Sequence, residues 1–407
     1  MSGDASQGSH RHSRASQAPG ASLADVVPAL LSGLGVAGFT DRVGLHPARG
    51  SCLLLVDGLG WRALREHPRD APFLTSLTEG REPITAGFPA TTATSVTTVG
   101  TGVPAGQHGI LGYTFTTPDG DLINALSWHT HGDGERVDLR ERFVPEDIQP
   151  RPTALERAAA AGVRVTLAVP HVHRNSGLDR VALRGAEFQG VHALGDLAAS
   201  ALAAVSGGER SLCYAYHGDL DRLGHVYGVG SLPWRLQLAH IDRLAAVIAE
   251  GLLSGTQLVV VADHGMVTVP EEGRLDFDTE PALRAGVRVL GGDPRARYVY
   301  TEPGATDDVL AAWRELIGDR AWIRTREEAI AAGWFGPVVE HRFRDRIGDV
   351  IVAARTDVAI VQSRVTPTQN SLIGHHGSLT ADEQLVPLLV YRPDSAQRVW
   401  SGAGAPD

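Results

Sequence analysis

Residues 257–265 read QLVVVADHG: an unbroken apolar run, Leu258 to Ala262, closed by an aspartate, a histidine and a glycine. A short run that is apolar at every position reads as a strand buried on both faces, as in a parallel sheet covered by helices. An Asp-His pair at the end of such a strand is costly to bury without partners, which marks the strand's carboxyl end as a place to look for chemistry. Similar runs recur, and strands are predicted at Ser51–Val56, Val163–Val169, Ser211–Tyr216, Gln257–Ala262, Asp349–Ala353 and Val386–Tyr391. Between them lie Ala/Leu/Arg/Glu segments of helical period. The clearest runs from Pro233 to Leu253, where Leu236, Ile241, Leu244, Val247, Ile248 and Leu252 form a stripe and Pro233 suits a first turn. The expected fold is therefore α/β, a mostly parallel sheet sandwiched by helices.

Between about 269 and 347 the pattern changes to a Gly/Pro/Arg-rich stretch (291–301, GGDPRARYVYT), a helix at Thr306–Ile317 and the segment WIRTREEAIAAGWFG. We read 269–347 as a smaller inserted α+β subdomain, with 21–268 and 348–400 forming the main core. Residues 1–20 are polar, small and turn-rich, and are expected to be a disordered tail. Pro28 and nearby glycines break the next apolar stretch, so neither a secretory leader nor a run of ~20 apolar residues is expected. Cys52 and Cys213 each sit inside an apolar run and read as core residues rather than a disulfide or metal pair. The expected compartment is reducing and cytoplasmic.

All 37 basic residues of the 407 are arginine. A chain without lysine has no Schiff-base lysine, no anchor for pyridoxal phosphate and no nucleotide-loop lysine for a β/γ-phosphate. With 47 acidic residues the net charge is −10, which argues against general attraction to nucleic acid or anionic membranes and for a small soluble substrate.

Asp57 follows LLLV, Asp221 and His225 follow CYAY, and Asp263 and His264 follow LVVVA; a fourth segment is His375-His376-Gly377. In an open α/β sheet the carboxyl ends of the strands share one edge, so these distant segments converge there. Three carboxylates, three imidazoles and no thiolate suit two zinc ions, each with three protein ligands and an open position. Such a pair clamps the attacking and leaving oxygens of an in-line phosphoryl displacement. Three carboxylates against two dications leave +1, which suits a monoanionic phosphodiester. A nucleophile is expected in the Thr-rich segment Gly87 to Gly102: Pro89 followed by Thr91, Thr92 and Ala93 reads as a helix start, where free N–H groups can receive a phosphoryl oxygen.

Val56-Asp57-Gly58, Phe88-Pro89-Ala-Thr-Thr-Ala-Thr with Thr101-Gly102, His108-Gly109-Ile110, Asp221-x-x-Gly-His225, Asp263-His264-Gly265 and His376-Gly377 stand in the order found in the alkaline phosphatase superfamily. Within it, the chain resembles the type I phosphodiesterase/nucleotide pyrophosphatase family over roughly residues 51–377. The resemblance implies one zinc on Asp57, Asp263 and His264 with the nucleophilic Thr as fourth ligand, and another on Asp221, His225 and His376. Counting back ten residues from Gly102 gives Thr92 as nucleophile and metal ligand. Thr91 is the alternative, because many relatives place the nucleophile directly before Phe-Pro, where this chain has Gly87. His376 is preferred to His375 because it precedes the glycine.

One departure bears on substrate: where relatives continue His-Gly-Ile to a phosphate-binding Asn, this chain has Tyr113. Tyr113 and the backbone N–H of Ala93 or Thr92 are then the candidate substrate contacts. The expected activity is hydrolysis of phosphodiester or phosphoanhydride bonds of small substrates, nucleotides included, through a phospho-threonine. The alternatives are a phosphomonoesterase or phosphonate hydrolase, with Arg295 or Arg297 meeting the second charge, or a non-catalytic metal-binding relative.

Overall fold

The computed structural model describes residues 20–132 and 134–393, so almost all of the expected tail and the last residues of the expected core lie outside the described residues. Ten strands position the site: β1 (Gly50–Val56), β2 (Arg164–Pro170), β3 (Glu187–Val191), β4 (Ser211–His217), β5 (Thr256–Val261), β6 (Val287–Asp293), β7 (Ala296–Thr301), β8 (Ala321–Thr325), β9 (Val350–Ala354) and β10 (Leu388–Tyr391). The helices used below are α1 (Thr92–Thr101), α2 (Gly177–Ala182), α3 (Leu194–Val205), α4 (Asp219–Tyr227), α5 (Leu232–Gly251), α6 (Thr306–Ile317) and α7 (Ala381–Gln384).

The main sheet runs β10-β5-β1-β4-β2-β3, parallel throughout except for β10, which lies antiparallel on β5. β1 and β5 are buried at every residue, as their continuous apolar character predicts. Helix α3 packs on β1, β2 and β4, and α5 packs on α3 and β5. The chain is thus α/β with a mostly parallel central sheet. Cys52 and Cys213 face each other in the β1–β4 register, buried and unbonded. No helix among the described residues is long and apolar enough to cross a membrane.

A second sheet of four antiparallel strands, β6-β7-β9-β8, is covered by α6, whose Trp313 is fully buried. This corrects one expectation. The strand drawn at Asp349–Ala353, in the stretch assigned to the main core, forms at Val350–Ala354 and pairs with β7 and β8 in the smaller sheet. Its five residues are all buried, and a strand covered on both faces reads alike in either sheet. Strand β3 was not expected: at the sheet edge its Glu187, Phe188, Gln189 and Gly190 are only partly covered, so no apolar run marks it. Leu236, placed in the apolar stripe of α5, is 55% exposed, whereas Ile241, Leu244 and Ile248 are buried.

Helix α1 accommodates three of its five threonines by using their hydroxyls within it. Thr97, Thr98 and Thr101 each donate to the carbonyl four residues back, at 2.7, 2.9 and 2.6 Å, so a helix buried from Ala93 to Thr101 leaves these three hydroxyls satisfied. Gly102, with φ of 71°, ends it in a left-handed cap.

Candidate metal centre and catalytic site

Parallel pairing brings the expected segments to one edge. Val56 pairs with His217 across β1–β4, and Leu55 with Val261 across β1–β5. Asp57, the start of α4 and Asp263 therefore leave the sheet side by side. The Gly58 N–H donates to Asp263 Oδ1 at 3.0 Å. Gly58 has φ of 74°, and a Cβ there would come within 2.9 Å of Asp221, so only glycine allows the β1 turn to approach α4 this closely.

Two groups of potential ligand atoms result, each within 4.8 Å internally: Asp57, Asp263 and His264, and Asp221, His264 and His376. His264 Nε2 lies 3.5 Å from both Asp57 Oδ1 and Asp263 Oδ2. His376 Nε2 lies 3.8 Å from Asp221 Oδ1, and His225 Nε2 is 3.3 Å from Asp221 Oδ2. The His264 and His376 rings stack at 3.6 Å, so the two groups share an edge. The second group thus contains His264 where His225 was expected, while His225 reaches the same carboxylate from its other oxygen.

The three histidines share one orientation. Nδ1 of His264, His225 and His376 faces the carbonyl oxygens of Gly265, Gly374 and Ala90 at 3.1, 2.7 and 2.9 Å. A proton on each Nδ1 leaves the Nε2 lone pair facing the carboxylates, the tautomer a metal ligand needs. His375 is turned the other way, its Nε2 on Leu372 O at 3.1 Å, and burial lowers its pKa to about 3.

The carboxylates complete the fit to cations. Asp57 Oδ1, Asp221 Oδ1 and Asp263 Oδ2 are buried without a hydrogen-bond partner. Burial, reinforced by the neighbouring Asp263 and Asp221, pushes the Asp57 carboxyl well above its usual range. Burial acts the same way on Asp221, but the nearby His225, His376 and His264 prevail and hold it below that range. Unpartnered buried oxygens converging with free imidazole nitrogens are a donor set for divalent metal ions. The residues present therefore fit such a group.

Thr92 opens α1 with its Oγ1 3.2 Å from His264 Nε2. Thr91, the helix cap, instead donates its hydroxyl to Asp293 Oδ1 at 3.1 Å. Ala93 follows in the first turn, fully buried, where helical N–H groups have no partner within the helix. The Tyr113 phenol oxygen accepts from Asn124 Nδ2 at 2.7 Å and its N–H donates to Asp293 Oδ2 at 3.4 Å. Arg295 is committed elsewhere, whereas Arg297 keeps one buried nitrogen, Nη2, without a hydrogen-bond partner and opposes the rise in the pKa of Asp293. Arg295 forms a buried two-point pair with Glu383 at 2.8 Å, and Arg297 donates to Ile360 O and Gly292 O.

Sequence reasoning missed four residues. Asp293, fully buried and raised by burial to about 6, comes from the β6–β7 hairpin of the second sheet and ties Thr91 to Tyr113. Tyr216 donates its hydroxyl to Asp57 Oδ2; it stands at a strand end, where the rule used for the aspartates could have found it. Asn124 and Glu383 carry no such signal.

A family model described as type I phosphodiesterase / nucleotide pyrophosphatase matches residues 51–379. Among solved structures, human ectonucleotide pyrophosphatase/phosphodiesterase 5 is similar with a TM-score of 0.63 and 18% identity, over 84% of this chain and 88% of that one. An inactive threonine-to-alanine form of the murine counterpart, in complex with AMP, gives 0.63 and 16% over 84% and 87%. At these identities the likeness speaks to fold alone. No curated protein matches the chain.

Proposed function

The chain belongs to the type I phosphodiesterase/nucleotide pyrophosphatase family, hydrolases of phosphoric ester or anhydride bonds, and from that premise we propose that it cleaves small soluble phosphodiesters or phosphoanhydrides through Thr92. The observation that carries this reading is the convergence of three unpartnered buried carboxylate oxygens with the Thr92 hydroxyl and His264 Nε2. Asp57, Asp263, His264 and Thr92 would hold one divalent cation, and Asp221, His225 and His376 another, with His264 close enough to His376 to line both. The donor set is oxygen and nitrogen without sulfur, which suits zinc. Bound there, the two ions would neutralise the phosphoryl oxygens and favour the ionised hydroxyl.

The chain's own residues do the rest. Thr92 Oγ1 gives up its proton to solvent and attacks phosphorus; the Oγ1–P bond forms as the bond to the leaving oxygen breaks. The first-turn N–H groups of α1, Ala93 among them, face the phosphoryl oxygen and stabilise its charge. Water then attacks phosphorus, the Oγ1–P bond breaks, and the Thr92 hydroxyl is restored. The backbone carbonyls behind His264, His225 and His376 keep the imidazoles in one tautomer throughout.

Charge favours a diester or anhydride over a monoester. Three carboxylates and two dications sum to +1, and the Arg295 guanidinium is committed to Glu383. Turnover of bis-p-nitrophenyl phosphate against p-nitrophenyl phosphate, with zinc present, decides the point. A diester preference is expected; a clear monoester preference would sink the reading.

A further inference from the structure

The two carboxylates on the Thr92 side of the centre are each tied down by one oxygen and left free at the other. The Tyr216 hydroxyl donates to Asp57 Oδ2, while Asp57 Oδ1 is buried and has no partner among the described residues. Asp263 Oδ1 accepts from the Gly58 and His264 N–H groups, both at 3.0 Å, and Oδ2 is its unpartnered oxygen. The two free oxygens each lie 3.5 Å from His264 Nε2, and Thr92 Oγ1 lies 3.2 Å from the same nitrogen. Four residues thus present one donor atom each. Asp221 differs: its Oδ2 lies 3.3 Å from Nε2 of His225, itself a candidate ligand, and among the described residues no group outside the centre is bonded to it.

The N–H groups on Asp263 belong to the backbone, whereas the hold on Asp57 depends on a side chain. Tyr216 stands near the carboxyl end of β4. Its reach to Asp57 needs a bare backbone beside it, for a Cβ on Gly218 would come within 2.9 Å of the phenol oxygen. A carboxylate free at both oxygens can ligate through both, as in calcium sites of about six to eight oxygens, and octahedral ions such as manganese are likewise served by many oxygen donors. A carboxylate tied at one oxygen offers a single atom. Three oxygens and one nitrogen, each from a different residue, make a set for a four-coordinate ion.

We propose that Tyr216 is a positioning residue that restricts Asp57 to one free oxygen and so biases the Thr92 side of the centre toward a four-coordinate cation over six-coordinate ones. The inference rests on the two-cation reading above and deepens it by naming a side chain that selects the metal. Without the hydroxyl, Asp57 Oδ2 loses its donor and becomes a further ligand atom, which a six-coordinate ion uses and a four-coordinate ion does not.

The test reads metal binding without turnover. Zinc and manganese(II) affinities of the metal-free wild type, Tyr216→Phe and Gly218→Ala are measured by competition with a chromophoric chelator. In Tyr216→Phe zinc affinity is expected to fall about 10–100-fold while manganese affinity holds, so the zinc-to-manganese ratio falls by about the same factor. Gly218→Ala keeps the phenol but crowds it away from Asp57, and should shift the ratio in the same direction. Cobalt(II) supplies a spectroscopic readout: its visible absorption, strong in four-coordinate and weak in six-coordinate surroundings, should weaken in both variants. An unchanged ratio in Tyr216→Phe, whether through equal losses or none, overturns the proposal and leaves the hydrolase reading standing; where that variant does not fold, the ratio in Gly218→Ala decides. A wild type that takes up no zinc overturns both.

Discussion

Thr91 and Thr92 share the same chemistry one peptide apart, and their surroundings assign them different work. The Thr91 hydroxyl is spent on Asp293 at 3.1 Å, whereas the Thr92 hydroxyl lies 3.2 Å from His264 Nε2. Thr92→Ala is expected to lower kcat by roughly 10³-fold or more while bound zinc, measured by elemental analysis, stays at two per chain. Thr91→Val should instead cost stability, about 1–3 kcal/mol, because it leaves the buried Asp293 without its donor, and should spare most turnover. Near-normal rates in Thr92→Ala would move the nucleophile. Asp179 supplies a test of burial by pH. Its folded pKa, raised to about 7, lies above the unfolded value near 3.9, so its contribution to stability is full below the unfolded value and is lost as pH rises toward 7. Asp179→Asn should therefore raise the melting temperature more at pH 8 than at pH 5; an equal gain at both would contradict the buried carboxylate. The convergence of Asp57, Asp221 and Asp263 was legible because each directly follows or closely trails an apolar strand. Asn124 and Asp293 were not, since Tyr113 meets them only through tertiary folding, 11 and 180 residues away in sequence.

At the scale of elements, the short helix α7 orders three separate loops of the site. The Glu383 carboxylate accepts from Arg295 on the second sheet and from the Ser378 N–H at 2.9 Å, just past His376-Gly377. The Glu383 carbonyl accepts from the Gly265 N–H at 2.9 Å, just past Asp263-His264. Gln384 accepts from the Gly87 N–H at 3.1 Å and donates to Gly87 O at 2.9 Å, before Phe88-Pro89 and the start of α1. Gly265 is required by the same packing, for a Cβ would come within 1.9 Å of Asp382 O. Glu383→Gln would leave Arg295 buried without its counter-charge, and a loss of about 3–5 kcal/mol is expected by denaturant unfolding. Zinc affinity should fall by about 10–100-fold, the usual effect of loosening groups that orient ligands. The neighbouring exposed pair Arg62–Asp382, 3.1 Å apart, is the control: Asp382→Asn should change stability by less than about 1 kcal/mol. Loss of zinc affinity in both variants alike would remove the special role of Glu383. This clamp was invisible in the sequence because ADEQ at 381–384 looks like any solvated helix start, whereas β1 and β5 announced themselves by apolar runs that end at Asp57 and Asp263. β9 shows the limit of that signal: burial on both faces gives the residue pattern of a core strand without saying which core.

For the whole molecule, the candidate metal centre sets a tension between folding and function. The fold draws Asp57, Asp221 and Asp263 to one edge of the sheet and leaves an oxygen of each buried and unpartnered, with three neutral-capable imidazoles as company. At Asp57, burial and the charges of Asp263 and Asp221 oppose that arrangement, and bound dications relieve both, so metal binding should be worth folding free energy. A ligand that binds only the folded chain stabilises it by RT ln(1 + [L]/Kd), about 4 kcal/mol at a thousandfold excess over Kd. Dialysis against a chelator should therefore lower the melting temperature by several degrees, and added zinc should restore it in a concentration-dependent way. Asp263→Asn sharpens the argument, because its Oδ1 can still accept from the Gly58 and His264 N–H groups while one negative charge is gone. In chelator this variant should melt at or above the wild type, since the repulsion is smaller. In zinc it should melt below the wild type, since a ligand has been weakened. That crossing of the two curves is the signature of carboxylates gathered for a metal at the expense of the metal-free fold; a variant that melts below the wild type under both conditions would show that Asp263 serves the fold itself.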